Sequence, residues 1–416
     1  MNRYQILLKL LILPIIIYTL WIAIKNKDLR YFTQRLGFNL SKVQIKQGNL
    51  IWIHAASVGE FNAAIPLIEK FNMRNTVLLT TNTPSSAARA QSIFSDSIQH
   101  YYLPIDWKMT TNKFLSKTNP KHLFIIETEL WPNLFLSCKS QNIPITIING
   151  RLSEKTVHAA KWLTKRYAEC LQSVNFVFTR SDEDSKRFIA LGAKKAIVKT
   201  IGNIKYYHNN KISSVKAFKT TLPYVLAAST RDDEEMLLVK AWIQSQQTSN
   251  TKHLLVIVPR HPKRLTTIMT QLSAFNLDAA IRSKNEKITN ETEIYIADTF
   301  GELVSFIAGA EFVLMGGSFV NKGGQNILEV AQAHKTVVFG PYMSNFKDEA
   351  ELFIKQRAGI QVESIETLPD TIQLLLDKPE VNVEFQENAK QLIQQQENIL
   401  ELYLTEISQS YSELNI

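Results

Sequence analysis

The sequence predicts an α/β protein with two doubly wound parallel sheets, preceded by an apolar amino-terminal helix. Ten short runs of β-branched and apolar residues alternate with helical stretches along the chain. The runs are almost continuously apolar, which is typical of strands covered by helices on both faces. A polar segment near residues 206–222 divides them into two sets of five. Each set therefore predicts one sheet that binds ligands at the carboxyl ends of its strands, and two facing sheets predict a cleft between them.

The predicted strands are short and β-branched. Those of the first sheet are Leu50–His54, Val77–Thr81, His122–Glu127, Ile145–Asn149 and Phe176–Thr179. Those of the second are Tyr224–Ala228, Leu254–Val258, Glu293–Ala297, Phe312–Met315 and Val337–Phe339. A stretch rich in Gln and Glu, from about residue 384 to 411, predicts one long closing helix.

The length of 416 residues fits two or three domains. We predict an anchor over residues 1–30, a domain over 31–210 and a second domain over 211–385. The closing helix, residues 386–416, is expected to pack back across the domains.

The net charge and the two cysteines limit the classes of function that the protein can have. A net charge of +9 suits an anionic membrane surface, an acidic substrate or nucleic acid. Zinc-ligand spacing and RNA-binding motifs are absent from the sequence, so we expect no nucleic-acid partner. Cys138 and Cys170 have no CxxC spacing and no nearby His, which predicts reduced structural thiols in a cytosolic compartment. We expect neither a metal nor a cofactor, because no cluster of metal ligands stands out.

The run Ile6–Ile24 is apolar over nineteen residues and contains one charge, Lys9. As a single helix it would extend about 28 Å, close to the hydrocarbon thickness of a bilayer. A secretory signal is disfavoured because no small-residue cleavage site follows. The alternatives are a helix lying in the interface, bent at Pro14, and a buried helix of a soluble core. We interpret the run as a membrane anchor.

Basic residues beyond this run predict its orientation. They are Lys25, Lys27, Arg30, Arg35, Lys42 and Lys46. The positive-inside rule then keeps the large carboxy-terminal part in the cytoplasm. The same cations suit anionic lipid headgroups.

The segment from His54 to Glu60 (HAASVGE) joins the first predicted strand to a helix. Glu60 lies where the strand becomes a helix, at the sheet edge that binds ligands. A carboxylate there can accept a proton from an incoming hydroxyl. Helix capping is the alternative, because the helix dipole favours an acidic residue in the first turn.

Two further candidates lie in the first domain. Glu127 and Glu129 (ETELWPN) directly follow the strand that starts at His122, and Glu127 is expected to face the ligand while Glu129 is structural. Lys205, in the segment GNIK, can neutralise charge on a leaving phosphate. A capped turn and a solvated linker lysine are the respective alternatives.

The second domain contains loops suited to phosphate. Residues 259–264 (PRHPKR) follow a predicted strand and contain three cations and a histidine. Residues 316–318 (GGS) follow the predicted strand Phe312–Met315. Residues 322–329 (KGGQNILE) open a helix whose amino terminus can hold a phosphate. Glu329 suits ribose hydroxyls or a cap. The spacing matches neither GxGxxG nor GxxxxGK[ST], which excludes a dinucleotide fingerprint or P-loop.

Taken in order, these segments resemble the Kdo transferases, which move 3-deoxy-D-manno-octulosonic acid (Kdo) from CMP-Kdo onto a lipid A precursor. The matching stretches include IHAASVGEFNAAIPLI, ETELWPNL, NGRLSEK, GNIKY, AAST, VPRHPKR, DTFGEL, GGSFVNKGGQNILEVA and GPYMSNFKD. They run from about residue 50 to 350, and ETELWPN and SVGE are the most specific.

The resemblance implies a GT-B architecture of two facing Rossmann-like domains, catalysis without a metal, and inversion at the anomeric carbon. It implies that Glu60 is the base and that Glu127 and Lys205 stabilise the transition state. It also implies that Ser229 and Thr230 contact phosphate. The implied CMP-Kdo pocket is completed by Pro259, Arg260, Phe300, Gly301, Glu302, Asn326, Ile327, Leu328 and Glu329.

The sequence departs from the family pattern at two places. The family usually reads GGHNPLE where this sequence reads GGQNILE, so Gln325 replaces a histidine and Ile327 replaces a proline. The first change removes a side chain that can be protonated, and the second removes a rigid turn. Arg231 follows Thr230 where His is more usual. Both departures bear on the nucleotide contacts and leave Glu60 and Glu127 untouched.

The sequence therefore predicts a Kdo transferase that uses CMP-Kdo and a lipid A precursor (lipid IVA) at the inner membrane. The alternative enzyme is another GT-B transferase with a UDP-sugar donor and a lipid acceptor. A non-catalytic membrane protein that binds acidic lipid or sugar, and a basic nucleic-acid binder, are the alternatives from other classes.

Overall fold

The computed structural model describes residues 3–41, 43–207, 215–247, 252–395, 398–411 and 414. The chain divides into two compact units, Met1–Tyr207 with Asn398–Ile416 and His208–Glu397. Lys42 and the predicted domain boundary at residues 210–211 lie outside the described residues. Each described part contains one parallel sheet flanked by helices, which confirms the predicted fold class.

The first unit contains seven parallel strands in the order β3-β2-β1-β4-β5-β6-β7. The strands are β1 Leu50–His54, β2 Thr76–Thr81, β3 Gln99–Tyr102, β4 His122–Ile126, β5 Ile145–Gly150, β6 Phe176–Thr179 and β7 Val198–Thr200. The helices are α1 Arg3–Leu10, α2 Ile12–Lys25, α3 Leu29–Arg35, α4 Val58–Asn72, α5 Pro84–Phe94, α6 Lys108–Thr118, α7 Pro132–Ser140, α8 Glu154–Val157, α9 Lys161–Leu171 and α10 Asp182–Ala190.

The second unit repeats the plan in the order β10-β11-β9-β8-β12-β13-β14, again all parallel. Its strands are β8 Tyr224–Thr230, β9 Leu254–Pro259, β10 Ala279–Ile281, β11 Ile294–Ile296, β12 Phe312–Met315, β13 Thr336–Phe339 and β14 Gly359–Gln361. Its helices are α11 Glu235–Gln246, α12 Leu265–Leu272, α13 Leu303–Gly309, α14 Leu328–Gln332, α15 Lys347–Lys355, α16 Leu368–Asp377 and α17 Pro379–Gln394.

In each sheet the strand order reverses beside the first strand of the unit, and these reversals fix where ligands can bind. In the first sheet β1 lies between β2 and β4, and in the second β8 lies between β9 and β12. At such a point the connections leave on opposite faces of the sheet, so a crevice opens at the carboxyl ends of the two strands. The turns after β1, β4, β8 and β12 are therefore the best placed to carry function.

The closing helix differs from the prediction. Instead of one helix from about residue 384 to 411, the chain forms α17 in the second unit and α18 (Ile399–Ser410) on the first. On α18, Tyr403 is fully buried and its hydroxyl donates to Gly202 O at 2.8 Å.

The apolar amino terminus is also broken. We predicted one helix over Ile6–Ile24, but α1 and α2 meet at an angle of 54°. Pro14 explains the break, because it has no N–H for Leu10 O and its ring clashes with that carbonyl. Among the described residues, no single helix is long and apolar enough to cross a membrane. By length and composition alone, the bent pair of α1 and α2 is.

Candidate active site and nucleotide-binding loops

Glu60 closes the turn between β1 and α4. The Ser57 hydroxyl accepts from Glu60 N at 3.2 Å, while Glu60 Oε2 accepts from Ala56 N at 2.5 Å and Ser57 N at 3.3 Å. This reciprocal arrangement is a capping box, so the capping role anticipated as an alternative is present. It also holds the partly exposed carboxylate of Glu60 in one orientation at the carboxyl end of β1.

The electrostatic surroundings of Glu60 favour its neutral form. Burial, followed by the negative charges of Glu129 and then Glu127, raises the pKa of Glu60 to about 8, although the backbone N–H groups of Ala56 and Ser57 lower it. A carboxyl group with this pKa is mostly protonated at pH 7 and becomes a proton acceptor as the pH rises.

Glu127 and Lys205 are brought together although they are 78 residues apart in the chain. Lys205 Nζ lies 2.7 Å from Glu127 Oε1, and both side chains are mostly buried. Glu127 follows β4 with a φ of +63°, a conformation that is costly outside glycine and is concentrated at functional sites. Lys205 lies on a short 3₁₀ turn, Ile204–Tyr206, whose Ile204 N donates to Asn149 Oδ1 at 3.1 Å.

Glu129 belongs to a polar network of its own. Its Oε2 accepts from Trp131 Nε1 at 2.7 Å and from Asn82 Nδ2 at 3.1 Å, and lies 3.7 Å from the Nε2 atom of the buried His54. Burial alone raises the pKa of Glu129, but the nearby His54, then Trp131 and Arg35, hold it below its usual range. Glu129 therefore stays ionised beside Glu60, and the sequence had given no sign of the Asn82 or His54 contacts.

In the second unit, the carboxyl end of β8 carries Ser229 and Thr230. Ser229 has a φ of +56°, as unusual as that of Glu127. Thr230 is fully buried and donates its hydroxyl to Glu235 Oε1 at 2.9 Å. The hydroxyl is therefore engaged inside the fold, and the implied contact of Thr230 with phosphate stays a prediction.

Glu234 is a residue that sequence reasoning missed. Its fully buried carboxylate accepts from Gly317 N at 2.7 Å, Arg231 N at 3.0 Å and Phe319 N at 3.1 Å. It thus joins the turn after β8 to the turn after β12. The run of four acidic residues after Arg231 was the available signal, since buried acids need such partners.

The loop after β9 divides into buried and exposed parts. Pro259 ends the strand and is buried, whereas Arg260 is exposed at the carboxyl edge. Arg264 turns inward, where its Nε lies 2.5 Å from Asp232 Oδ1 and its Nη1 lies 2.5 Å from Glu235 Oε1. Arg264 is therefore structural, and Arg260 is free to contact a ligand from the edge of the sheet.

The segment before α14 presents backbone and polar atoms. Asn326 Oδ1 accepts from Leu328 N, and Asn326 Nδ2 donates to Glu329 Oε1, both at 3.1 Å. The side chains of Ile327 and Leu328 are buried, so only their backbone can face a ligand. Burial raises the pKa of Glu329. The helix α14 that follows has five residues, and the expected phosphate site at its amino terminus stays a prediction.

The loop after β11 exposes an aromatic side chain. Phe300 is 81% exposed and the following Gly301 has a φ of +84°. Glu302 is engaged by Arg282 at 2.7 Å, and this contact, followed by one from Thr299, lowers the pKa of Glu302. Phe300 is thus the part of this loop available for contact with a flat ring, while Glu302 stabilises the loop.

The sequence is similar to those of known proteins. A family model described as 3-deoxy-D-manno-octulosonic-acid transferase (kdotransferase) matches residues 30–208. The 3-deoxy-D-manno-octulosonic acid transferase of Bordetella pertussis is 31% identical over 343 residues, which cover 79% of this chain and 80% of the relative. The Rickettsia bellii protein of the same name is 30% identical over 425 residues, covering 99% of this chain and 100% of the relative.

Solved structures agree on the fold. UDP-GlcNAc 2-epimerase from Neisseria meningitidis superposes with a TM-score of 0.59 and 11% identity, covering 86% of this chain and 100% of that one. At this identity the likeness shows the fold alone, and the fold is GT-B-like. The shared sequence over most of the chain then decides the family: this protein is a glycosyltransferase of the Kdo transferase family.

Proposed function

We propose that the protein transfers Kdo from CMP-Kdo onto a glucosamine hydroxyl of a lipid A precursor, with inversion and without a metal ion. The observation that carries this proposal is the position of Glu60 in the first unit. It lies after β1 at the reversal of strand order, while Glu127, paired with Lys205, follows the neighbouring strand β4. The identity of the transferred sugar is inferred from membership of the Kdo transferase family.

The proposed reaction is a direct displacement. Glu60, once ionised, removes the proton of the acceptor hydroxyl as its oxygen attacks the anomeric carbon of Kdo. The bond from that carbon to the phosphate oxygen breaks, and CMP leaves with the electron pair. Lys205 offers a positive charge close to the reacting groups, and Glu127 holds the lysine in place. Among the described residues no group of three potential metal ligands is found.

Membrane association is proposed from the amino-terminal helices. Leu10, Leu13 and Ile17 are all more than half exposed, which gives α1 and α2 an apolar outer face. On the inner face, Tyr4 donates to Asp106 Oδ2 at 2.6 Å in the first unit. A helix pair docked on its own domain suits a position in the plane of the interface better than a path across the bilayer. We place the protein at the cytoplasmic face of the inner membrane.

The test combines the purified chain with CMP-Kdo and a tetraacylated lipid A precursor, and the product is weighed by mass spectrometry. We expect a mass increase of one or more Kdo units and release of CMP, with unchanged turnover in EDTA. Release of UDP from a UDP-sugar instead would favour the alternative donor. Binding of donor without turnover would favour a non-catalytic protein.

The Glu60→Gln variant tests the base. Glutamine retains an oxygen that can accept from Ala56 N, so the cap is preserved while the proton acceptor is lost. We expect CMP to bind with unchanged affinity and turnover to fall by at least about 100-fold, the usual contribution of a general base. Near-normal turnover in this variant would remove Glu60 from the mechanism.

A further inference from the structure

We infer that Arg231 binds the phosphoryl group of the nucleotide donor, with Gln325 and His261 as the residues that position its guanidinium. The inference rests on the proposed function, because it names the group of CMP-Kdo that this side chain contacts.

Arg231 lies at the carboxyl edge where the strand order of the second sheet reverses. It follows β8 directly, and its side chain crosses the turn after β12. A Cβ atom added to Gly317 in that turn would lie 3.3 Å from the Gln325 amide and 3.5 Å from Arg231 Cγ. Glycine at this position therefore leaves room for both side chains above the turn.

Neutral groups hold the guanidinium. With the Gln325 amide oriented to satisfy its neighbours, Oε1 accepts from Arg231 Nε at 3.1 Å and from Nη2 at 3.2 Å. Arg231 Nη1 donates a hydrogen bond to His261 Nε2 at 3.1 Å. The backbone is fixed as well, since Arg231 N donates to Glu234.

The charge of Arg231 is left for a ligand. Within the described parts of the chain, no carboxylate lies at ion-pair distance from this guanidinium, whereas nearby Arg264 is paired with both Asp232 and Glu235. Three of the five N–H groups of Arg231 are used in these contacts, so two remain, one on each terminal nitrogen. Two such donors match two oxygens of a phosphate.

Two substitutions separate binding from structure. Arg231→Met keeps the length of the side chain and removes the charge and its donors. Gln325→Glu keeps the size and the accepting oxygen but neutralises the guanidinium with a carboxylate. A purely structural Arg231 tolerates the second change, because its partner still accepts the same hydrogen bonds; a phosphate-binding Arg231 does not.

The experiment measures binding of CMP and of cytidine to the full chain by calorimetry. We expect CMP to bind about 10- to 100-fold more weakly to Arg231→Met and to Gln325→Glu, the loss typical of a charge-assisted hydrogen bond, while cytidine binding is unchanged. Lys240→Met, which removes an exposed cation on α11, is the matched control and is expected to bind CMP normally.

The outcomes distinguish the two proposals. Failure of the unmodified chain to bind CMP contradicts the proposed function itself. Normal CMP binding by the unmodified chain and by both variants overturns the inference alone. An equal loss for cytidine and CMP also overturns it, because Arg231 then shapes the nucleoside pocket without contacting the phosphoryl group.

Discussion

At the scale of single residues, Glu60 combines two roles that usually compete. Its carboxylate caps α4 by accepting two backbone N–H bonds, and the same bonds orient it at the carboxyl end of β1. Burial, and then the charges of Glu129 and Glu127, oppose its ionisation. The cap therefore fixes the geometry of the carboxylate, and burial together with the neighbouring charges sets the pH at which it can take a proton.

The pH dependence of the rate follows from this pKa. Because only ionised Glu60 can act as the base, we expect kcat/KM to rise with pH and to level off above about 8. In Glu129→Gln one repelling charge is lost, so the rising limb moves to lower pH. Initial rates of CMP release from pH 6 to 9.5 measure the rising limb of the unmodified protein and that of the variant. A profile that is flat across this range contradicts the role of Glu60.

The Glu127–Lys205 pair can be tested with one single and one double variant. Lys205→Met leaves Glu127 buried without its partner, and we expect a loss of about 1–3 kcal/mol in the free energy of unfolding. Glu127→Gln combined with Lys205→Met removes both charges and is expected to regain most of that stability, but not turnover. Urea denaturation and CMP release are the two measurements. If the double variant recovers turnover as well, the pair is only structural.

Much of this site depends on contacts that no local pattern reveals. Glu60 could be found because a strand, a turn and a helix follow one another in the sequence. The partners of Glu127 and Arg231 could not, because Lys205 and Gln325 lie about 80 to 95 residues further along the chain. Spacing within a motif predicts neighbours on one element, and only the fold decides which distant elements meet.

At the scale of elements, all ten predicted strands are present, and the four that were missed are the sheet edges. β3, β7, β10 and β14 each lie at one end of a sheet. A strand at an edge has one neighbour and is partly exposed, so it is short and carries polar residues, as in the sequence QHYY of β3. The continuous apolar pattern that identifies a central strand is therefore absent from them.

The amino-terminal helices give a prediction at the same scale. Leu13→Glu together with Ile17→Glu places two charges on the exposed apolar face of α2, and we expect binding to vesicles of anionic phospholipid to fall at least tenfold. Sedimentation with the vesicles measures the bound fraction. Val383→Glu, an equally exposed apolar position on α17, is the control. Equal binding by both variants would exclude α2 as the membrane contact.

At the scale of the whole molecule, α18 completes the first unit. Tyr403 is fully buried against that unit, and the Tyr411 hydroxyl lies 2.9 Å from Thr146 Oγ1 on β5. Tyr403→Ala is expected to destabilise the first unit by about 3–5 kcal/mol through the cavity it leaves. Urea denaturation followed by intrinsic fluorescence measures the change. Leu402→Ala, exposed on the same helix, is expected to have little effect, and equal losses would contradict this assignment.

The attachment of α18 has a consequence for biosynthesis. The Tyr403 hydroxyl binds Gly202 O, in the loop that carries Lys205. Residues 208–397, which form the second unit, leave the ribosome before α18 does. Part of the first unit is therefore synthesised only after the whole second unit, and the loop that carries Lys205 is secured only then. A nascent chain that stalls before Tyr403 can thus fold its second unit without completing the loop around Lys205 in the first.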